Sequence, residues 1–260
     1  MIHITGYFFS ILIGFSLGIL GGGGSILTIP VLVYFFGIDP VIATTYSLFI
    51  VGLTAVSGSI TNYRMNNVDY RTVVLFGTPS IAMLFIVRKW LVNLIPSIIF
   101  KSGDFIITKS IFIMIVFSAL MLISGLSMIK ATTYSPSKEK QSFTRLAIQG
   151  CITGAVTGFI GIGGGFIIVP SLVLFAGLSM KKAIGTSLTI ITVNCIVGLV
   201  SNLTAAQSVN FVFLLIFSAL AILGILAGTW ATRFIPEKRL KPFFGWIILA
   251  MSIIVFLKVL

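Results

Sequence analysis

Acidic residues are almost missing from this chain: Asp and Glu number five in 260 residues against 17 Lys and Arg, and only 8% of the sequence is charged. None of the five carboxylates falls within an apolar run, which excludes a carboxylate proton relay or Na⁺ site of the usual intramembrane kind. His3 is the only histidine; one imidazole builds no metal site, and neither a Ser-His-Asp nor a Cys-His constellation can be assembled. The two cysteines, Cys151 and Cys195, both lie inside apolar runs and read as buried thiols rather than a disulfide or metal ligands. The expectation is a protein without catalytic residues, metal or cofactor.

What is abundant is apolar sequence, at 58% of residues and a mean hydropathy of +1.19. One water-soluble core cannot bury that much, so the chain reads as an integral membrane protein whose first partner is the lipid bilayer. Uncharged runs cover 4–38, 41–63, 72–87, 110–129, 146–180, 183–232 and 242–257, and each holds a spanning helix of about 20 residues. The net charge of +12 raises the question of nucleic acid, but the cations lie mostly in short connections between runs. They read as topology determinants, and no separate polar domain exists to carry nucleic-acid binding. The apolar run at the N-terminus has no preceding Lys or Arg and no Ala-x-Ala-like site, so it is expected to be a first span rather than a cleaved signal.

The chain is organised around a duplicated stretch. Gly18-Ile-Leu-Gly-Gly-Gly-Gly-Ser-Ile-Leu-Thr-Ile-Pro30 recurs as Gly158-Phe-Ile-Gly-Ile-Gly-Gly-Gly-Phe-Ile-Ile-Val-Pro170, 140 residues later. At the same offset Gly14, Gly37, Ala43, Ser47, Leu48, Gly58, Asn62 and Trp90 meet Gly154, Gly177, Ala183, Ser187, Leu188, Gly198, Asn202 and Trp230 without a gap. The division expected is a first transmembrane repeat over 1–130, a hydrophilic linker over 131–145 containing Ser-Pro-Ser-Lys-Glu-Lys, and a second repeat over 146–260.

The run 4–38 would be about 52 Å long as one straight helix at ~1.5 Å per residue, against a hydrocarbon core of ~30 Å. It must break, and the four glycines Gly21 to Gly24 with Pro30 beyond them are the weakest point. The run 146–180 repeats the interruption. The fold class expected is thus an all-α polytopic membrane protein of about eight transmembrane helices, in two tandem four-helix repeats with Gly/Pro-broken first helices. An even number of spans per half would make the copies parallel, related by an axis along the membrane normal. Counting Lys and Arg on that topology puts ten opposite the termini and seven beside them, a preference for termini outside.

Broken helices at corresponding positions of two halves point to a transporter's binding site. Gly21, Gly22, Gly23, Gly24, Gly161, Gly163, Gly164 and Gly165 are candidate substrate-binding residues, because free N–H groups at the start of a half-helix suit a small oxyanion. Close helix packing by small residues is the competing explanation. Ser47, Ser187 and Thr186 lie early in the second span of each half and offer hydroxyls, with bonding to their own helix as the alternative. Asn62 and Asn202 read better as helix ends. Arg88, two turns before Pro96, is expensive in hydrocarbon unless it faces water, a partner or an anion, although snorkelling explains it more easily. The glycine stretch lacks the Lys-Ser or Lys-Thr of a nucleotide-binding loop.

The glycine break ending in Pro, then Gly and Ala-x-x-Thr-Ser-Leu, stands here as Gly161-Ile-Gly-Gly-Gly165, Pro170, Gly177 and Ala183-Ile-Gly-Thr-Ser-Leu188. The first copy carries Gly21 to Pro30, Gly37 and Ala43-Thr-Thr-Tyr-Ser-Leu48. This doubled pattern resembles the TauE/SafE sulfite exporter family. The resemblance implies a multi-pass transporter of the bacterial inner membrane, exporting sulfite, sulfonates or related organosulfur and organic anions. A membrane structural or biogenesis protein is the alternative. Tyr46 stands where the second copy has Thr186, so the halves need not play equal roles.

Overall fold

A computed structural model describes residues 2–91, 94, 98–102, 105–130, 143–160, 164–202 and 210–259. Gly161, Gly163, Ile95, Pro96 and linker residues 131–142 lie outside the described residues. The first half contains α1 (Ile2–Leu20), α2 (Gly23–Phe36), α3 (Pro40–Arg64), α4 (Tyr70–Ile86), which continues as a π-helical turn over Val87–Leu91, and α5 (Lys109–Lys130). A short antiparallel hairpin, β1 (Ile98–Ser102) and β2 (Phe105–Thr108), joins α4 to α5. The second half contains α6 (Phe143–Ile160), α7 (Gly165–Leu174), α8 (Met180–Asn202), α9 (Phe211–Ala231) and α10 (Glu237–Val259). Among the described residues the protein is helical apart from that hairpin and its short connections, and five of their helices are long and apolar enough to cross a membrane: α3, α4, α5, α8 and α9.

Each broken first span is a pair of helices rather than one bent rod. At Gly21 the backbone adopts φ +69°, in the left-handed region that glycine enters without cost, and the chain turns back on itself. Phe9 in the first half of α1 packs at a tilt on Phe35 near the end of α2, with centroids 4.7 Å apart, and Gly24 lies against Ile13 and Leu17. α1 and α2 therefore run antiparallel. Gly164 at φ +83° makes the second reversal, after which the Ser171 hydroxyl of α7 lies 3.5 Å from that of Thr153 in α6. At ~1.5 Å per residue α2 and α7 are only about 21 and 15 Å long, too short to span a ~30 Å core alone.

That reversal corrects the expected parallel relation of the halves. The described residues hold two more helices than expected, five per half, an odd number, so the second half enters upside down. The contacts show it directly. α3 and α8 cross in the centre with Gly52 against Cys195, Leu48 against Gly198, and Ser59 Oγ 2.8 Å from Thr189 Oγ1, so their residue numbers run in opposite directions. α5 and α10 are likewise antiparallel: Gly125 lies against Gly245, and the Ser252 hydroxyl donates to the Ser118 carbonyl at 2.8 Å. The approximate two-fold axis therefore lies in the membrane plane, as in inverted-repeat transporters.

The halves interlock. α1 lies parallel along α9, while α6 lies parallel along α4, and each pairing maps onto the other under the 140-residue offset. Small residues make both seams. A Cβ on Gly18 would stand 2.5 Å from the Ile225 carbonyl, and one on Gly14 would overlap the carbonyl of Ala221. Gly224 and Gly228 present the same bare surface to Ile11 and Phe15, and Gly150, Gly154 and Gly158 to Phe76, Ser80 and Leu84. Lipid tails are as apolar as Leu, so association in a bilayer depends on such close backbone approach. Trp90 at the end of α4 and Trp230 at the end of α9 are 68% and 61% exposed; on inverted elements they mark opposite interfaces, where indole rings settle.

Candidate substrate site at the paired helix breaks

The two reversals meet in the interior. A Cβ on Gly22 would overlap the Gly165 carbonyl, and one on Gly165 would lie 2.6 Å from the Gly22 Cα. The tips thus touch backbone to backbone at the first residues of α2 and α7. Gly21, Gly22, Gly24, Gly164 and Gly165 are all buried. The N-cap residues Gly22 and Gly164 have no side chain with which to cap either helix; the N–H groups of Ser25 and Ile167 donate to the N-cap carbonyls, and the first two N–H groups of each helix have no partner within it. Because α2 and α7 are antiparallel, α2 aims its positive end toward the side of the Asp69 turn, and α7 aims its own toward the side of the chain termini.

α8 braces both tips. Gly21 rests on Ile184 and Ser187, and the buried Ser187 hydroxyl lies within donating distance of the Gly21 carbonyl at 2.9 Å and of the Ile184 carbonyl at 2.8 Å. One turn on, Ile191 packs on Gly165. The first break adds its own bonds: the Ser25 hydroxyl donates to the Gly22 carbonyl at 2.6 Å and that of Thr28 to the Gly24 carbonyl at 3.1 Å. Ser47 of α3, equivalent to Ser187, is fully buried, and its hydroxyl makes no hydrogen bond among the described residues.

Thr186 engages the turn that precedes α4. Its hydroxyl oxygen accepts the Asp69 N–H at 3.0 Å, while the Asp69 carboxylate caps α4 by accepting from the Thr72 N–H at 3.1 Å. In the other half the Tyr46 hydroxyl accepts the Asn210 N–H at 3.1 Å, and Asn210 caps α9 through the Phe213 N–H. Tyr and Thr thus do one job, anchoring the cap of the third span's helix. Asn62 donates to the Gly58 carbonyl at 3.0 Å near the end of α3, as a helix-end residue should. Asn202 is the last residue of α8.

Arg88 is 7% exposed, on the π-helical turn that packs against α6 and α8. Gly158 of α6 already meets Leu84, and the two helices run parallel, so Arg88 lies beside the end of α6 that leads into the second break. Gly228, its equivalent, has no side chain and packs on Phe15 and Gly18. The first break therefore has no cation at the equivalent position. Sequence reasoning missed Asn194, which is 0% exposed with neither its amide nitrogen nor its amide oxygen hydrogen-bonded among the described residues. An Asn well inside the apolar run 183–232, about midway along the span that ends at Asn202, was the signal available. Among the described residues no group of three or more His, Cys, Asp or Glu side chains is placed to hold a metal ion.

Two interlocked, inverted halves of apolar helices whose uncapped glycine tips meet in the centre define a multi-pass membrane protein of the inverted-repeat kind. The family description "Sulfite exporter TauE/SafE" matches residues 7–255, and the chain belongs to that family. It is 33% identical over 254 residues to a "Probable membrane transporter protein" of Xylella fastidiosa strain 9a5c, covering 94% of this chain and 91% of that one. It is 28% identical over 205 residues to "Probable membrane transporter protein MJ0441" of Methanocaldococcus jannaschii, covering 75% and 72% of the two chains. With "Probable membrane transporter protein YdhB" of Bacillus subtilis it shares 25% identity over 230 residues, covering 88% and 90%. No solved structure matches the chain.

Proposed function

We propose that the chain is a secondary transporter for small anions such as sulfite, sulfonates or related organosulfur and organic anions, working as an exporter in a bacterial inner membrane. The observation that carries this reading is the contact of Gly22 with Gly165. It brings two uncapped helix N-termini, one from each half, together in the buried centre, each aimed at a different side of the membrane. Backbone N–H groups and partial positive charge suit an oxyanion. A pair of oppositely aimed half-sites in inverted repeats suits alternating access, in which one half rocks against the other. The protein does no chemistry on its cargo and acts without a cofactor.

The fold-back also supports an orientation. Arg64, Arg71, Lys130, Arg145, Lys181, Lys182, Arg233, Lys238, Arg239 and Lys241 lie at helix ends on the Asp69 side. Lys89, Lys101, Lys109 and Lys258 lie on the side of the termini, with Arg88 buried. Among the described residues, ten against four supports a cytoplasmic Asp69 turn with both termini outside.

The test is flux in liposomes reconstituted with purified protein. Saturable movement of sulfite, thiosulfate or a sulfonate above protein-free vesicles is the expected result. No flux of any of them under any imposed gradient would remove the anion reading. It would favour a structural or biogenesis role, for which the close contact of the two glycine tips is itself sufficient reason.

A further inference from the structure

Asn194 stands out among the buried polar groups. Hydroxyls in this fold mostly satisfy themselves within their own helix, as Thr54 does with the Ile50 carbonyl at 2.6 Å and Thr192 with the Leu188 carbonyl at 2.9 Å. A carboxamide carries two donors and an acceptor with two lone pairs. At Asn194 neither end is hydrogen-bonded among the described residues, at 0% exposure. Leaving such a group unpaired forfeits its hydration with nothing in return, and a buried polar group inside a membrane is a mark of function.

The helical face it occupies is known from its neighbours. At about 100° per residue, Asn194 lies about 20° around α8 from Ser187, between the directions of Ile190 and Ile191. Ser187 faces Gly21, Ile191 faces Gly165 and Ile190 faces Gly77 of α4. Asn194 is thus directed into the space between α4 and the glycine tips, one turn beyond the Gly165 contact toward the side of the termini. That is the direction in which α7 aims its N-terminus. The π-helical turn carrying the buried Arg88 packs on α8 from the α4 side. At the first break the equivalent positions hold Thr54, bonded to its own helix, and Gly228.

We propose that Asn194 is a substrate-contacting, selectivity-determining residue at the second break, and that the anion site is one-sided, built from the α7 N-terminus, Asn194 and Arg88. This rests on the anion-transport reading above. The carboxamide holds the ligand by donating to an anionic oxygen. Its own oxygen accepts from a proton on the ligand, which favours hydrogen-bearing oxyanions such as hydrogensulfite, or aminosulfonates, over fully deprotonated sulfate.

The test uses the full-length protein in liposomes and in detergent, with sulfite, taurine and sulfate as probes. Asn194→Thr installs the residue that the first half already accommodates, with a hydroxyl free to bond the Ile190 carbonyl. Asn194→Leu is a second variant that removes the polar group at similar volume. Ser218→Ala, a buried hydroxyl of α9 away from the breaks, is the control. Expected is a melting temperature at or above wild type for at least one Asn194 variant, with sulfite flux down at least tenfold and the sulfite-induced thermal shift lost, while Ser218→Ala keeps both. The wild type should discriminate sulfite from sulfate, and the variants should not. If wild type transports while a folded Asn194 variant matches it in flux and selectivity, the assignment of Asn194 is overturned and anion transport stands. If wild type itself moves and binds none of the probes, the transport reading fails and takes the assignment with it.

Discussion

Replacing Gly22 by alanine adds a single methyl group, and its cost follows from what that methyl meets. The atoms in the way are the Gly165 carbonyl carbon, oxygen and Cα. All are backbone, so no side-chain rotation relieves the overlap and the two helix tips must move apart. Overpacking of this kind costs typically about 1–3 kcal/mol. With ~2–4 °C per kcal/mol for a chain of this size, the melting temperature in detergent should fall by roughly 2–12 °C. Gly77 is the internal contrast. A Cβ there finds only the Ile190 side chain at 3.4 Å, an ordinary contact, and alanine gains up to about 1 kcal/mol of helix propensity, so Gly77→Ala should be neutral or stabilising. A double-mutant cycle of Gly22→Ala with Gly165→Ala isolates the contact. Once one methyl has forced the tips apart, the second should cost less, with a coupling of about 0.5–3 kcal/mol. If Gly22→Ala melted with wild type, or the two substitutions added without coupling, the tips would not touch as described.

Equivalent serines should respond differently. Ser187→Ala strips the buried Gly21 carbonyl of its 2.9 Å donor and should cost about 1–3 kcal/mol, whereas Ser47→Ala removes a hydroxyl that is unpaired among the described residues and should leave the melting temperature nearly unchanged. Thr186→Val removes the acceptor for the Asp69 N–H and should lower stability by about 1–3 kcal/mol while leaving the apparent affinity for sulfite within about twofold; a large rise in the half-saturating concentration would return Thr186 to the binding site. Reporter fusions should give an active alkaline phosphatase and a dark green fluorescent protein at the C-terminus, and the reverse pattern would overturn the orientation derived from the cations at the helix ends.

Much of this was legible before any coordinates. The 140-residue register, the weak points at Gly21 to Gly24 and Gly161 to Gly165, the all-helical class and the family resemblance all follow from residues that can be read along the chain. What the chain did not disclose is the direction of travel after each break. Consecutive glycines and a following proline lower helix propensity equally whether the chain bends or doubles back, and only the pairing of Phe9 with Phe35 and the bed that Ile13 and Leu17 make for Gly24 decide for reversal. That single ambiguity sets the parity of each half and hence the symmetry axis. Thr186 shows a second limit: that its hydroxyl oxygen accepts from the Asp69 turn, 117 residues away in sequence, follows only from the fold. Asn194 shows the converse, since its significance lies in partners it lacks.

The inverted arrangement of the halves is the claim on which the paired tips, the orientation and the site all depend. Its most direct test is disulfide cross-linking between Ser59→Cys and Thr189→Cys in a background with Cys151 and Cys195 replaced, because those two hydroxyl oxygens lie 2.8 Å apart where α3 and α8 cross antiparallel. Oxidation in native membranes should close an intramolecular bridge at this pair, and leave Ser59→Cys with Leu199→Cys, the pair that parallel copies would bring together, unlinked. Bridging of the second pair and not the first would contradict the account.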